Sequence, residues 1–215
     1  VTRPLDRECK IPQIGELDAK NGEFWVENPF LLTKTGKNLS AFERNHLYLN
    51  IAGHSFLDAS FASNADIDAD SRSVIAADFD RDGACDLLVG NDGGGPLRLF
   101  VNRFPRNNRR VRIRLTGTTS NQPAIGSRVV LQCGGREIVR DLFPANGFMG
   151  QAPAELLVGI GEATTIEKLT VRWPTGKAQE FRSLPGDSVI TITEGIAKPQ
   201  IAPLVVRIAK SRSDK

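Results

Sequence analysis

From Arg109 onward apolar and polar residues alternate strictly, with Val111, Ile113 and Leu115 on one side and Arg110, Arg112 and Arg114 on the other. A period of two predicts a β-strand, here with one buried face and one solvent-facing arginine face. Short runs rich in Val, Ile, Leu and Thr follow at 127–133, 136–142, 155–159, 166–173, 177–182 and 188–193. Gly134-Gly135, Asn146-Gly147, Pro174-Thr175-Gly176 and Pro185-Gly186 punctuate them as turns. About seven strands at this spacing predict an antiparallel sandwich or barrel over 103–195.

Upstream the pattern differs. His46-Leu47-Tyr48-Leu49-Asn50 and Arg98-Leu99-Phe100-Val101-Asn102 share the order x-Leu-aromatic-aliphatic-Asn, 52 residues apart. Between them lie strand-like runs at 55–58, 74–77 and 86–90. A period near 50 belongs to blade-length β-repeats, so 46–102 reads as one propeller-like blade of about four strands plus the opening of the next. Residues 41–102 form this repeat, and 1–40 precede it as a segment with room for part of a blade. A basic tail, 196–215, follows the sandwich, and its Ile201–Val206 run, with residues 1–40, is suited to cover edges of the 41–102 blade. A lone blade leaves edges and apolar faces that need cover, which predicts another protein subunit as partner. The one helix-start signal, Ser40-Ala41-Phe42-Glu43, supports a turn or two of helix.

Composition agrees with an all-β chain of 215 residues carrying 20 glycines, 12 prolines and a single Met. No run of some 18 apolar residues is present, which excludes a membrane-spanning helix. The first ten residues, charged and broken by Pro4, do not read as a signal peptide. Cys9, Cys85 and Cys133 are too few for a disulfide framework, and only His46 and His54 are available for imidazole chemistry. Residues 41–102 have a net charge of −6, while 103–195 have +5. Pooled carboxylates of this kind call for something positive among them, either a bound cation or a basic surface such as the second domain itself.

The densest chemistry is Asp78-Phe79-Asp80-Arg81-Asp82-Gly83-Ala84-Cys85-Asp86. Asp78, Asp80, Asp82 and Asp86 occupy positions 1, 3, 5 and 9 of a tight loop, and Ala84 at position 7 offers its carbonyl. Gly83 at position 6 permits the sharp turn. The set parallels the first half of an EF-hand loop, although Val89 stands where the bidentate Glu would be and strands rather than helices flank it. Hard oxygen ligands in flexible geometry point to Ca²⁺. The bland alternative is an acidic hairpin without metal, which leaves four carboxylates repelling one another.

Other features favour plainer readings. Asp66, Asp68 and Asp70 lack the glycine and the ninth-position acid and read as a solvated loop; Asp18, Asn21 and Gly22 are weaker still. Arg103, Arg106, Arg109, Arg110, Arg112 and Arg114 could line a nucleic-acid patch, but no Trp or Tyr is interleaved, so a strand face and its lead-in loop is the simpler account. Cys85 as nucleophile would need His46 or His54 beside it. Trp173 reads as core and His54 as a hairpin-turn residue.

The stretch from Ala77-Asp78-Phe79-Asp80-Arg81-Asp82-Gly83 to Asp86-Leu87-Leu88-Val89-Gly90-Asn91 resembles the FG-GAP or VCBS repeat of integrin-type propellers. Residues 112–194, through Gly117-Thr118-Thr119-Ser120-Asn121, Ala124-Ile125-Gly126-Ser127, Gly147-Phe148-Met149-Gly150-Gln151 and Val171-Arg172-Trp173-Pro174-Thr175-Gly176, resemble the ASPIC/UnbV domain of the cartilage acidic protein-like family. The resemblance implies a secreted, periplasmic or cell-surface module acting in adhesion or assembly. It also implies structural Ca²⁺ on Asp78, Asp80, Asp82, Ala84 and Asp86. Relatives usually carry several repeats, whereas this sequence shows one complete blade.

The expected function is therefore a non-catalytic, calcium-stabilised extracytoplasmic module for protein–protein interaction. Alternatives are an accessory or enzyme of a biosynthetic pathway and a carbohydrate-binding module. Against an enzyme stands the lack of any Ser/His/Asp set, phosphate-cradling Gly loop or His/Cys metal constellation. Against glycan contact stand only two Trp and one Tyr.

Overall fold

A computed structural model describes residues 44–51, 53–67, 69, 71–91, 96–104, 107–147 and 150–205. Every regular element among them is a strand, as the alternation predicts. Cys9, Asp18, Asn21, Gly22, the Ser40–Glu43 helix signal, Asp68, Asp70 and Arg106 lie outside the described residues. Two compact units emerge: Val1–Arg72 with Gly90–Leu97, and Ser73–Val89 with Arg98–Lys215. The change in charge sign near residue 102 falls inside the second.

In the first unit, β1 (Tyr48–Ile51) runs antiparallel to β2 (Ser55–Asp58), with Tyr48 opposite Asp58 and Ile51 opposite Ser55. The Gly53 N–H donates to Asn50 Oδ1 at 2.7 Å and the His54 N–H to the Ile51 carbonyl at 3.0 Å. His54 is thus the turn residue expected. The chain then curls back instead of adding a third strand. Ser60 is buried, its Oγ accepting the Leu47 N–H at 2.8 Å, and its carbonyl takes the Ala65 N–H at 3.1 Å.

Next come β3 (Ser71–Ala77), β4 (Asp86–Asn91) and β5 (Arg98–Phe100), a three-stranded sheet in that order. The strands assigned to a single four-stranded blade therefore pair in two sheets, β1–β2 and β3–β4–β5. The turn network around Ser60 is the local reason.

The remaining strands build a sandwich. They are β6 (Arg109–Thr116), β7 (Arg128–Cys133), β8 (Arg136–Asp141), β9 (Ala145–Asn146), β10 (Gly150–Gln151), β11 (Glu155–Gly161), β12 (Thr165–Arg172), β13 (Ala178–Pro185), β14 (Ser188–Thr193) and β15 (Gln200–Pro203). One sheet has the order β11-β6-β14-β15 and the other β13-β12-β7-β8, while β9 and β10 form a small ribbon. Val111, Ile113, Leu115, Val158, Ile160, Ile190 and Ile192 from the first sheet meet Val129, Leu131, Ile166, Leu169, Val171 and Phe181 from the second in one buried core. Trp173 joins it, as expected.

One detail departs from a plain antiparallel sandwich. β14 pairs with β6 in parallel, Ser188 opposite Val111 and Thr193 opposite Thr116. The chain leaves β13 in one sheet and crosses to the other at Gly186-Asp187, where the Asp187 N–H bonds the Arg110 carbonyl at 2.8 Å, so β14 starts at the same end as β6. The tail run was expected along an edge of the blade; it pairs instead within the sandwich, where β15 lies antiparallel to β14 with Ile201 opposite Ile190.

Candidate metal loop

The loop 78–86 joins β3 to β4, and its own carboxylates shape it. Asp78 accepts the Asp82 N–H on Oδ1 and the Gly83 N–H on Oδ2, each at 3.0 Å. Asp80 Oδ1 also takes the Asp82 N–H, at 3.1 Å. Asp82 Oδ1 accepts from Ala84 N–H at 2.9 Å. Asp86 Oδ2 takes the Phe79 N–H at 3.0 Å, and its Oδ1 takes the Asn102 N–H at 2.8 Å, tying the loop to the end of β5. These are the local side-chain to backbone bonds that Asp makes readily. Gly83 adopts φ +82°, so the turn's conformation favours glycine, and a Cβ there would sit 3.0 Å from Arg110 Cδ, which would have to shift to make room.

The result is a convergence. One oxygen each from Asp78, Asp80 and Asp86 lies within 4.8 Å of the others, close enough for a single cation to touch all three. Asp80 Oδ2 is buried without a hydrogen bond, and Arg103 Nη1 is 3.9 Å away. Burial, and then the Asp82 carboxylate beside it, push the Asp80 carboxyl above its ordinary range. Such an oxygen is poorly served by the protein alone and suits a hard divalent ion. Asp82 is buried but stands outside the convergent trio. Ala84 contributes its N–H to Asp82, as described.

Alternation assigns the arginine face of β6 to solvent, and Arg114 is exposed there as expected, but Arg112 is not. Arg112 is only 9% exposed, because the 78–86 loop packs over it. Its Nη2 hydrogen-bonds Asp78 Oδ2, and its Nε lies 3.3 Å from Glu155 Oε1 on β11. Arg110 Nη1 donates to the Gly83 carbonyl at 3.1 Å, and Arg114 Nε donates to Glu155 Oε2 at 2.9 Å. Strand alternation assigns side chains to a face but not what covers that face. The usable signal was the opposite net charge of the two segments, which admitted a basic surface of the chain itself.

Cys85, within the loop, is a free thiol. Partial burial, with the charges of Asp86 and Asp78, pushes its pKa up, so it stays protonated and is a poor nucleophile. His46 stacks on Tyr48, ring centroids 5.8 Å apart, and pairs with Asp58 at 3.4 Å. Cys133 is a buried core thiol, also free. Asp66 pairs with Arg44 at 3.2 Å.

Residues 117–199 match the family model described as ASPIC and UnbV. The matched stretch runs from the Gly117 loop through β14 and ends just before β15, so this part of the sandwich carries an ASPIC/UnbV domain. No curated protein matches the chain.

Proposed function

We propose that residues 78–86 hold one structural Ca²⁺ and that the chain is a non-catalytic, extracytoplasmic β-module for protein–protein interaction, adhesion or complex assembly. On this reading 41–102 is a repeat of the FG-GAP/VCBS kind, set ahead of the ASPIC/UnbV domain.

One observation carries the proposal: Asp78, Asp80 and Asp86 converge within 4.8 Å on a loop whose backbone already holds them, while Asp80 Oδ2 is buried with no hydrogen bond. Asp78, Asp80 and Asp86 would ligate directly, with Asp82 and the Ala84 carbonyl completing an oxygen shell. The ion would supply charge compensation. Each carboxylate also accepts a backbone N–H or an arginine, an arrangement that favours fixing the loop over activating a solvent molecule. A partner is supported by the first unit, where Tyr48, Phe56 and Phe61 are exposed, Phe61 by 90%.

Thermal melts of metal-stripped protein in EGTA and in excess Ca²⁺ test the loop. Ca²⁺ should raise the melting temperature, and Asp80→Ala should lower it and abolish the calcium dependence. Superimposable wild-type curves, with no metal retained in either sample, would overturn the assignment.

A further inference from the structure

We infer that Arg112 is the built-in counter-ion of the 78–86 loop and that it limits how tightly the loop takes a cation. The inference rests on the calcium reading for its affinity consequence, but its consequence for the metal-free loop stands apart. Arg112 projects from β6, the strand between β11 and β14, with its side chain 10% exposed against an Asp78 side chain 2% exposed. A charge this buried must be paired, and Arg112 is paired twice, with Asp78 through Nη2 and with Glu155 through Nε.

These pairs limit what Asp78 can offer a cation. Asp78 Oδ2 already accepts the Gly83 N–H, and the Arg112 bond uses its second lone pair. A cation is left with Asp78 Oδ1, which carries one protein donor, the Asp82 N–H. Asp78 is thereby held to a single ligating oxygen. Arg112 also places a fixed positive charge beside the position a cation would occupy, and Coulomb repulsion between the two weakens binding. Without a cation the same guanidinium offsets part of the repulsion among Asp78, Asp80 and Asp86, keeping the loop folded. Glu155 holds part of the guanidinium's charge away from Asp78, so its removal should strengthen the Arg112–Asp78 bond.

The variants Arg112→Gln and Glu155→Gln should move affinity in opposite directions. By calorimetric titration with Ca²⁺, Arg112→Gln should bind about tenfold tighter and Glu155→Gln about threefold weaker than wild type. In EGTA, Arg112→Gln should show faster hydrogen exchange at the Gly83 amide and a lower melting temperature, most of which Ca²⁺ restores. General damage to the fold would weaken binding in both variants. A folded Arg112→Gln that binds Ca²⁺ no tighter than wild type, or whose Gly83 amide exchanges at the wild-type rate in EGTA, overturns the inference. If Arg112→Gln does not fold, Glu155→Gln decides, and equal or tighter binding overturns it. Wild type that takes up no Ca²⁺ sinks the calcium reading instead, and the exchange measurement in EGTA then decides the role of Arg112.

Discussion

The Ser120 N–H lies 2.7 Å from Oε2 of Glu194, and the Ser120 hydroxyl donates to Oε1 of the same carboxylate at 3.0 Å. The Thr118 and Thr119 N–H groups add 3.0 and 2.9 Å bonds to Oε2, and Thr175 Oγ1 donates to Oε1 at 3.0 Å. Glu194 follows β14 directly, so it ties the end of that strand to the loop after β6 and to the turn after Trp173.

These donors make Glu194 a pH sensor of stability. The Ser120 N–H, with those of Thr118 and Thr119, holds its pKa at about 2 against the ordinary 4.5, and burial opposes only part of the shift. A carboxylate with a depressed folded pKa contributes stability that is complete above the unfolded value and is lost as pH falls through the folded one. The melting temperature should therefore drop between pH 4.5 and about 2. Glu194→Gln should flatten that stretch of the curve and lower the melting temperature at pH 7 by several degrees. Melts across that range, monitored by circular dichroism, check both.

Gly117→Ala should damage the same loop from within. A Cβ at Gly117 would sit 2.2 Å from the Asn121 carbonyl oxygen, which is backbone and cannot swing aside. The loop must open, and with it the donors to Glu194, so a loss of about 2 kcal/mol or more is expected in urea unfolding. Gly176→Ala meets nothing within 4 Å, but at φ +85° it bears the conformational strain alone. Its loss should be smaller.

In the core, Leu169→Ala removes a fully buried side chain on β12 and should cost about 2–5 kcal/mol by the same measurement. Val139→Ala on β8, an edge strand whose Val139 is 42% exposed, should change stability by under about 1 kcal/mol.

Ending the chain before Gln200 removes β15 and bares the hydrogen-bonding edge of β14. Light scattering after size-exclusion chromatography should then show more self-association than the chain with β15 in place, because unpaired edges recruit other strands.

What the sequence made legible was whatever is local. Val111, Ile113 and Leu115 announced their strand by alternation, and the Asp78–Asp86 spacing announced its loop, since both patterns are complete within about ten residues. That the Ile201 run would pair along an edge was readable from its apolar pattern, but not that the edge is β14 of the sandwich. Three things needed the third dimension. The parallel match of Ile190 to Ile113 depends on which end of the sheet the Gly186-Asp187 crossing enters. The two sheets in place of one blade depend on Ser60 closing a turn on Leu47 and Ala65. Arg112 meeting Asp78 and Glu155 depends on a loop and a strand 34 residues apart sharing a surface.

The parallel seam between β6 and β14 has a consequence for the order in which the chain can be completed. As the polypeptide leaves the ribosome, the acidic loop and β6 emerge before both of β6's partners; β11 can pair along one edge of β6 first, but the other edge stays open until β14 has been synthesised, with Val111 waiting for Ser188. Closing so long a stretch of chain is slow compared with forming a hairpin. Through that interval Arg112 is not yet anchored by a finished sheet, and the carboxylates of Asp78, Asp80 and Asp86 lack their fixed neighbour.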